Sequence, residues 1–141
     1  MLNLIPKILP SGMVKHLMDM GHGDEIVIGD GNFPAYSLGV QVVPINGRGS
    51  AEVLEAILRL MPLDLYAKAP YALMAKIQGD TIVPELWDTF RSVLRAHGYA
   101  AEPEMLEREA FYTRSRKAFC IAATSEAKQY GNIILTKGIV K

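Results

Sequence analysis

The sequence predicts a single α/β domain of 141 residues, a layered fold with a largely parallel sheet flanked by helices. Three observations carry this prediction. Short apolar runs rich in β-branched residues alternate along the chain with longer segments of helical periodicity. Half of the residues are apolar, which suffices for a sizeable core in a chain of this length. No repeat, low-complexity tract or linker divides residues 1–141, so one domain spans the chain.

Three helices are indicated by apolar residues at helical spacing and by residues that begin or end helices. Ser11 and Ser50 are expected to be N-caps, and Pro84 lies in the first turn of the third helix. The segment 107–117 is polar and is either irregular or helical. The predicted helices cover residues 11–20, 50–61 and 84–97.

Five strands are indicated by short apolar runs between turn-forming residues. The run Ile26-Val27-Ile28 is β-branched throughout, which is typical of a buried strand. The second strand is expected to end before Pro44, which precedes an Asn-Gly turn. The predicted strands cover residues 26–28, 40–43, 71–77, 119–123 and 133–136.

Composition narrows the possible functions. The formal net charge is zero, with 15 basic and 15 acidic residues, which argues against nucleic-acid binding and against an electrostatic membrane anchor. No apolar run approaches the roughly 18 residues of a membrane span, and no secretory leader is evident, so we expect a cytoplasmic protein. Cys120, the only cysteine, is expected in the core rather than as a nucleophile.

The most informative stretch is 20–35, where a histidine, three acids and four glycines surround the first predicted strand. Asp30 follows that strand, and ligands of open α/β sheets bind beyond strand carboxyl ends. His22 precedes it and has a side chain suited to proton transfer near neutral pH. His22 must return to Asp30 in space or serve another purpose. Structural roles, a loop cation for His22 and an Asx-turn for Asp30, remain open.

Two further groups have both functional and structural interpretations. Arg108 is able to fork onto ligand hydroxyls or a carboxylate, or to form a surface ion pair with Glu107 or Glu109. The segment 130–132, Tyr-Gly-Asn, is either a compact polar clamp or an ordinary turn. The three histidines lack metal-ligand spacing, and no phosphate loop or nucleophile elbow is present. We therefore expect neither a metal nor a cofactor.

Taken together, the ordered motifs resemble the D-ribose pyranase / L-fucose mutarotase family nearly end to end. Gly-His-Gly-Asp-Glu, Phe-Pro-Ala and Tyr-Gly-Asn match the fucose branch, whereas the ribose branch shows Gly-His-Thr-Asp and Tyr-Ala-Asn. The sequence departs from the bacterial fucose pattern at Asn32 and Tyr36, where that pattern has histidines. The motifs are Met20-Gly-His-Gly-Asp-Glu25, Asp30-x-x-Phe-Pro-Ala35, Arg108-x-Ala-Phe-Tyr112, Lys117-Ala-Phe119 and Tyr130-Gly-Asn-Ile-Ile-Leu135.

The resemblance implies an α/β mutarotase that needs no cofactor and acts on L-fucose or a similar monosaccharide. It also implies a ring-shaped homo-oligomer, a pentamer or decamer, with sites at subunit interfaces. His22 is expected to transfer the proton, and Asp30 either orients the sugar or tunes the imidazole. A D-ribose pyranase and a non-catalytic monosaccharide-binding module remain alternatives. The expected sugar-binding residues are Asp30, Arg108, Tyr130, Asn132 and, through its backbone, Gly131.

Overall fold

Six strands form one mixed sheet in a computed structural model that describes residues 1–141. Their order across the sheet is β2-β5-β1-β6-β3-β4. The strands are β1 (Glu25–Gly29), β2 (Gln41–Ile45), β3 (Tyr71–Met74), β4 (Glu104–Leu106), β5 (Cys120–Thr124) and β6 (Ile133–Thr136).

The direction of β6 distinguishes this sheet from a purely parallel one. β6 lies between β1 and β3 and is antiparallel to both. The pairings of β1 with β5, β2 with β5 and β3 with β4 are parallel. Five strands therefore point the same way, which confirms the predicted largely parallel sheet with β6 as its one reversed member.

Helices cover both faces of the sheet, so the domain has three layers. The helices are α1 (Ser11–Asp19), α2 (Ser50–Leu58), α3 (Glu85–Ala96) and α4 (Arg108–Ser115), with a 3₁₀ helix at Ala35–Leu38. The first three share the larger hydrophobic core with one face of the sheet, and α4 and the 3₁₀ helix share the smaller core with the other. None of these helices combines the length and apolar character needed to cross a bilayer.

Strand β1 illustrates how the sequence supplies both cores. Successive side chains of a strand point to opposite faces, so Ile26 and Ile28 enter the larger core while Val27 enters the smaller one. All three are fully buried. The sequence of a strand that is covered on both faces is continuously apolar rather than alternating, which is why this segment could be predicted as a buried strand.

Several predicted boundaries were wrong for local reasons. Pro44 lies inside β2. Proline is tolerated there because β2 is an edge strand, whose outer side pairs with no other strand and needs no backbone N–H donor. Ser11 and Ser50 are the first helical residues rather than N-caps. The Ser50 hydroxyl is buried and donates instead to the carbonyl of Gly131 at 2.6 Å.

Other expectations were resolved as follows. Pro84 directly precedes α3, and the strand predicted over 71–77 ends at Met74. The ambiguous segment 107–117 is helical as α4. Strand β4 was not predicted, because it has three residues and two of them are exposed. Cys120 is fully buried, and this burial raises the pKa of its thiol to about 12, as expected of a core residue.

A close backbone contact fixes the segment before β3 against the chain after β6. A Cβ atom on Gly138 would lie 2.3 Å from the carbonyl oxygen of Leu63 and 3.0 Å from the nitrogen of Asp64. The N–H of Gly138 also donates to the carbonyl of Pro62 at 2.8 Å. Only glycine allows the two segments to approach this closely.

Replacing Gly138 with alanine is expected to lower the free energy of unfolding by about 1–3 kcal/mol, because the obstructing atoms are backbone and cannot rotate away. Urea denaturation measures the change. Gly12→Ala is the matched control, since a Cβ there meets nothing within 4 Å and lies in α1. The control is expected to retain or slightly exceed wild-type stability. Equal midpoints for the two variants would contradict the proposed close contact.

Candidate functional site

The predicted site residues lie beyond the two opposite ends of the central strands, and each of these two sides of the sheet is called an edge below. Because β6 runs against its neighbours, the residues before β6 meet those that follow β1 and β3. The residues after β6 meet those that precede β1 and β3. We call the first group the Asp30 edge (Asp30, Asp80, Arg108 and residues 130–132) and the second the His22 edge (His22, Asp64 and Tyr66).

At the Asp30 edge, two loops are joined by reciprocal hydrogen bonds. The backbone N–H of Asp30 donates to Oδ1 of Asn132 at 2.7 Å, and the N–H of Gly131 donates to Oδ2 of Asp30 at 3.3 Å. The N–H of Asn32 donates to Oδ1 of Asp30 at 3.0 Å, which is an Asx-turn. Asp30, Gly131 and Asn132 are thus in direct contact, and both interpretations of Asp30 offered by the sequence are compatible with this geometry.

The carboxyl of Asp30 is electrostatically unusual. Asp30 is buried, and this desolvation raises the pKa of its carboxyl above the ordinary value. The N–H groups of Asn32 and Gly131 act in the opposite direction by stabilising the carboxylate, but burial is the larger effect. A carboxyl with a raised pKa beside an amide side chain is well suited to binding hydroxyl groups, because it accepts hydrogen bonds when ionised and donates one when protonated.

Tyr130 is held in an uncommon conformation at the same edge. Its φ is +59°, in the left-handed region that side chains other than glycine seldom occupy. Its hydroxyl donates to Asp80 and accepts the N–H of Ile77 at 3.1 Å. Its ring packs edge-on against Trp87, with centroids 6.3 Å apart. Such backbone strain persists only where surrounding contacts enforce it, and it concentrates at functional sites.

Arg108 lies at the same edge but is not fixed by a strong ion pair. It is the first residue of α4, its side chain is half exposed, and its nearest carboxylate is that of Glu109 at 3.7 Å. The surface ion pair allowed by the sequence is therefore present, but such exposed pairs contribute little. A cation is also unfavourable at a helix N-terminus. Arg108 is close enough to Tyr130 to act electrostatically on its hydroxyl, and its half-exposed guanidinium is accessible to a ligand.

At the His22 edge, the imidazole is paired with a carboxylate that the sequence prediction missed. Nε2 of His22 lies 3.1 Å from Oδ1 of Asp64, and the same oxygen accepts the N–H of Tyr66 at 3.0 Å. The hydrogen bond from His22 is the main reason that the pKa of Asp64 is lowered, followed by the bond from Tyr66. Asp64 is therefore an ionised partner for the imidazole at neutral pH.

The two edges do not meet within one chain. The five residues of β1 alone span about 17 Å at about 3.3–3.4 Å per residue, and His22 and Asp30 lie beyond opposite ends of it. Of the two alternatives that the sequence left open for His22, a return to Asp30 does not occur within a single copy. For the same reason Asp30 does not contact the imidazole of its own chain, whose carboxylate partner is Asp64.

Sequence reasoning missed Asp64 and Asp80, although a topological signal was available. Asp64 precedes β3 as His22 precedes β1, and residues that precede parallel strands share one edge of the sheet. Asp80 follows β3 as Asp30 follows β1, so it shares the other edge. Neither acid was distinguishable from a surface carboxylate without the order of the strands, which places β6 between β1 and β3.

Two of the cavities in the surface bear on the choice of site, and one of these two lies at the His22 edge. The larger, about 720 Å³, is lined by residues 1–14 and includes none of the predicted site residues. It lacks any acid–base pair, so its chemistry does not favour catalysis. The smaller, about 410 Å³, includes Asp64, Tyr66 and Tyr99 and lies beside the His22–Asp64 pair. The smaller cavity is the better candidate because it adjoins titratable groups in contact.

Comparison with known proteins places this geometry in a family. The sequence matches the RbsD / FucU transport protein family over residues 3–140. The chain belongs to the RbsD / FucU family. It is 45% identical to FucU from Bifidobacterium longum, with a TM-score of 0.95 over 99% of this chain and 100% of that one. The fucose mutarotase of Streptococcus pneumoniae, solved in complex with L-fucose, is 42% identical, with a TM-score of 0.93 over the same shares.

A more distant member shares the fold. RbsD of Bacillus subtilis, solved in complex with D-ribose, is 23% identical, with a TM-score of 0.77 over 94% of this chain and 95% of that one. The higher identity to FucU and to the fucose mutarotase agrees with the fucose-branch motifs Gly-His-Gly-Asp-Glu and Tyr-Gly-Asn. The predicted family membership and fold class are therefore confirmed.

Opposite pKa shifts at the two edges predict opposite pH profiles for two variants. Because the pKa of Asp30 is raised on folding, its contribution to stability is present below the unfolded value near 3.8 and is lost as pH rises through the folded pKa. The stability difference between wild type and Asp30→Asn should therefore fall with rising pH. Because the pKa of Asp64 is lowered, the difference between wild type and Asp64→Asn should instead fall as pH decreases.

Urea unfolding at a series of pH values between about 3 and 7 measures both differences, since this interval brackets ordinary carboxyl titration. Each variant serves as the other's control, because both replace one carboxyl with an amide of similar size. Two profiles that slope in the same direction would contradict the assigned environments of the two acids.

Proposed function

We propose that this chain is a sugar mutarotase that interconverts the α and β anomers of L-fucose or a similar aldose by cofactor-free acid–base catalysis. The observation that carries the proposal is the 42% identity, over nearly the full length of both chains, to a fucose mutarotase solved with L-fucose. The 45% identity to a FucU protein supports the same branch. The enzyme would be an isomerase, with a monosaccharide as its substrate.

The chemistry requires only proton transfers. A base removes the proton from the anomeric hydroxyl, its protonated form delivers that proton to the ring oxygen, and the ring opens to the aldehyde. The C1–C2 bond rotates, and the ring closes on the other face. A positioned acid–base group supplies roughly 10²–10⁴-fold acceleration. We assign this group to His22, whose imidazole is half exposed and therefore accessible to a sugar.

The sugar would be held by the Asp30 edge. There a carboxyl, a guanidinium, a phenol and an amide lie within one cluster of loops, and each is able to bond a hydroxyl. Orientation of the ring by several such bonds adds to acid–base catalysis by restricting the reactants to a productive geometry. The proposed sugar-binding residues are Asp30, Arg108, Tyr130, Asn132 and, through its backbone, Gly131.

Since the two edges are separated within one chain, we propose that each site forms between two copies. The His22 edge of one copy would face the Asp30 edge of the next, a head-to-tail contact that closes into a ring, as in a pentamer or a pair of pentamers. Exposed apolar side chains at both edges support such a contact. Leu65, Tyr66 and Val140 are exposed at the His22 edge, and Ile77 and Val83 at the other.

The proposed activity predicts faster anomer exchange of L-fucose in the presence of catalytic amounts of protein. NMR exchange spectroscopy measures the rate, and His22→Ala should reduce it by roughly 10²–10⁴-fold. Acceleration of pyranose–furanose exchange of D-ribose, without any effect on fucose, would instead identify a pyranase. Line broadening of either sugar without faster exchange would indicate a binding module. Undiminished exchange with His22→Ala would remove His22 from the mechanism.

A site shared between copies predicts that two impaired variants restore each other. His22→Ala damages one edge and Arg108→Ala the other, and Arg108 is half exposed, so its removal spares the core. Each variant alone should exchange fucose at less than about a tenth of the wild-type rate. In randomly mixed rings about one quarter of the head-to-tail contacts pair an intact His22 edge with an intact Asp30 edge.

Co-refolding the two variants in equal amounts should therefore recover about one quarter of the wild-type rate. Each variant refolded alone is the control and should gain nothing. A mixture that shows only the mean of the two separate rates would contradict a site shared between copies.

A further inference from the structure

The imidazole of His22 has two nitrogens, and the structure distinguishes them. Nε2 faces Oδ1 of Asp64 at 3.1 Å, whereas Nδ1 forms no hydrogen bond within the chain. We propose that Asp64 is a positioning residue that holds His22 as the Nε2–H tautomer and so leaves Nδ1 as the atom that exchanges the proton with the sugar. This inference rests on the proposed function, because it refines the role of His22 in that same site.

The tautomer follows from the chemistry of the pair. An ionised carboxylate has no hydrogen to donate, so the hydrogen between Asp64 and neutral His22 must belong to Nε2. The side chain of Asp64 is only 12% exposed, against 46% for His22, so the carboxylate is the more shielded partner and the imidazole is accessible to a ligand. Because Nε2 is engaged by Asp64, the nitrogen left without a hydrogen is Nδ1, and such a nitrogen is a proton acceptor.

Asp64 is itself held by backbone contacts, as a positioning residue must be. Its N–H donates to the carbonyl of Thr136 at 3.0 Å, and its Oδ1 accepts the N–H of Tyr66 at 3.0 Å. The preceding residue, Leu63, pairs with Lys137 in an isolated β-bridge. The Asp64 carboxylate is therefore placed by the end of β6 rather than by flexible side chains.

The loop that carries His22 is fixed to the same point. The N–H of Gly23 donates to the carbonyl of Lys137 at 2.9 Å, and the N–H of Lys137 donates to the carbonyl of Asp24 at 2.8 Å. The backbone around both members of the pair is thus bonded to the same segment, residues 136–137. Such shared support favours a fixed geometry of the pair, which is the condition for efficient acid–base catalysis.

A second histidine–carboxylate pair in the chain provides a matched control. Nε2 of His97 lies 2.7 Å from Oε2 of Glu55, a shorter contact than that of His22, and the pair joins the end of α3 to α2. Glu55 is also 45% exposed. Glu55→Gln therefore makes the same chemical change in the same kind of pair, but in one that shares no hydrogen bond with His22 or Asp64.

The tautomer of His22 is directly measurable in the wild-type protein. Side-chain ¹⁵N–¹H correlation spectra distinguish the two neutral tautomers, and the chain has three histidines to assign. At a pH about two units above the ordinary imidazole pKa of about 6.5, His22 is expected as the Nε2–H form. Asp64→Asn should populate the Nδ1–H form, because an amide nitrogen is able to donate to Nε2. A wild-type Nδ1–H tautomer would overturn the proposal whatever the variants do.

Activity measurements then distinguish a role of Asp64 in positioning His22 from a purely structural role. Asp64→Asn is expected to lower the exchange rate at saturating fucose by roughly 10- to 100-fold, part of the full acid–base contribution, with a change in KM of less than about twofold. Asp64→Glu, which keeps the carboxylate, should recover part of that loss, and Glu55→Gln should match wild type. An Asp64→Asn protein as active as Glu55→Gln, with an unchanged His22 tautomer, would also overturn the proposal.

The experiments distinguish the activity of the protein from the role of Asp64. If the protein does not accelerate anomer exchange, or if His22→Ala is fully active, the proposed function or its assigned residue is wrong, whatever tautomer the spectra show. If His22→Ala is inactive but the tautomer and rate do not respond to Asp64→Asn, only the role of Asp64 is wrong. Folding of each variant is checked by its urea midpoint, and the wild-type spectrum decides the tautomer if Asp64→Asn does not fold.

Discussion

The antiparallel pairing of β6 between β1 and β3 is the constraint on which both halves of the site depend. Its first residues face the end of β1, which brings Asn132 to the backbone of Asp30. Its last residues face the start of β1 and β3, where Lys137 holds the His22 loop and Thr136 holds Asp64. A parallel β6 would exchange these two ends, so the direction of one four-residue strand places Asn132 beside Asp30 and the His22 loop beside Asp64.

The two halves differ in their electrostatics as well as in position. At one edge burial raises the pKa of Asp30, so its carboxyl is poorly solvated and ready to exchange hydrogen bonds with hydroxyls. At the other edge, the hydrogen bond from His22 lowers the pKa of Asp64, so an ionised carboxylate lies beside the imidazole at neutral pH. Binding and proton transfer make opposite demands on a carboxyl. In the proposed function, the two demands are met on opposite edges of one small domain, and copies that meet head to tail bring the edges together.

The sequence predicted most of the helices and strands because their local signals agree with their final surroundings. Ile26-Val27-Ile28 is β-branched and covered on both faces, and α3 has a continuous apolar stripe. The strand order could not be predicted, because no local feature of residues 133–136 indicates that this strand is antiparallel to its neighbours. For a related reason the second strand was predicted to end before Pro44, since only the order of the strands shows that β2 lies at an edge, where proline is tolerated. Asp64 was missed because its partner lies 42 residues away.

Residues in unfavourable conformations or environments are concentrated at the Asp30 edge, and this difference between the two edges bears on their proposed roles. At the Asp30 edge a tyrosine adopts a left-handed backbone, an arginine begins a helix, and a carboxyl is buried, each against an ordinary preference. At the His22 edge the groups form an ordinary hydrogen-bonded pair. Folding sequences are locally consistent except where function requires otherwise. In the proposed function, the edge that carries more of these exceptions is the one that fits the shape of the sugar, whereas the other supplies the proton acceptor.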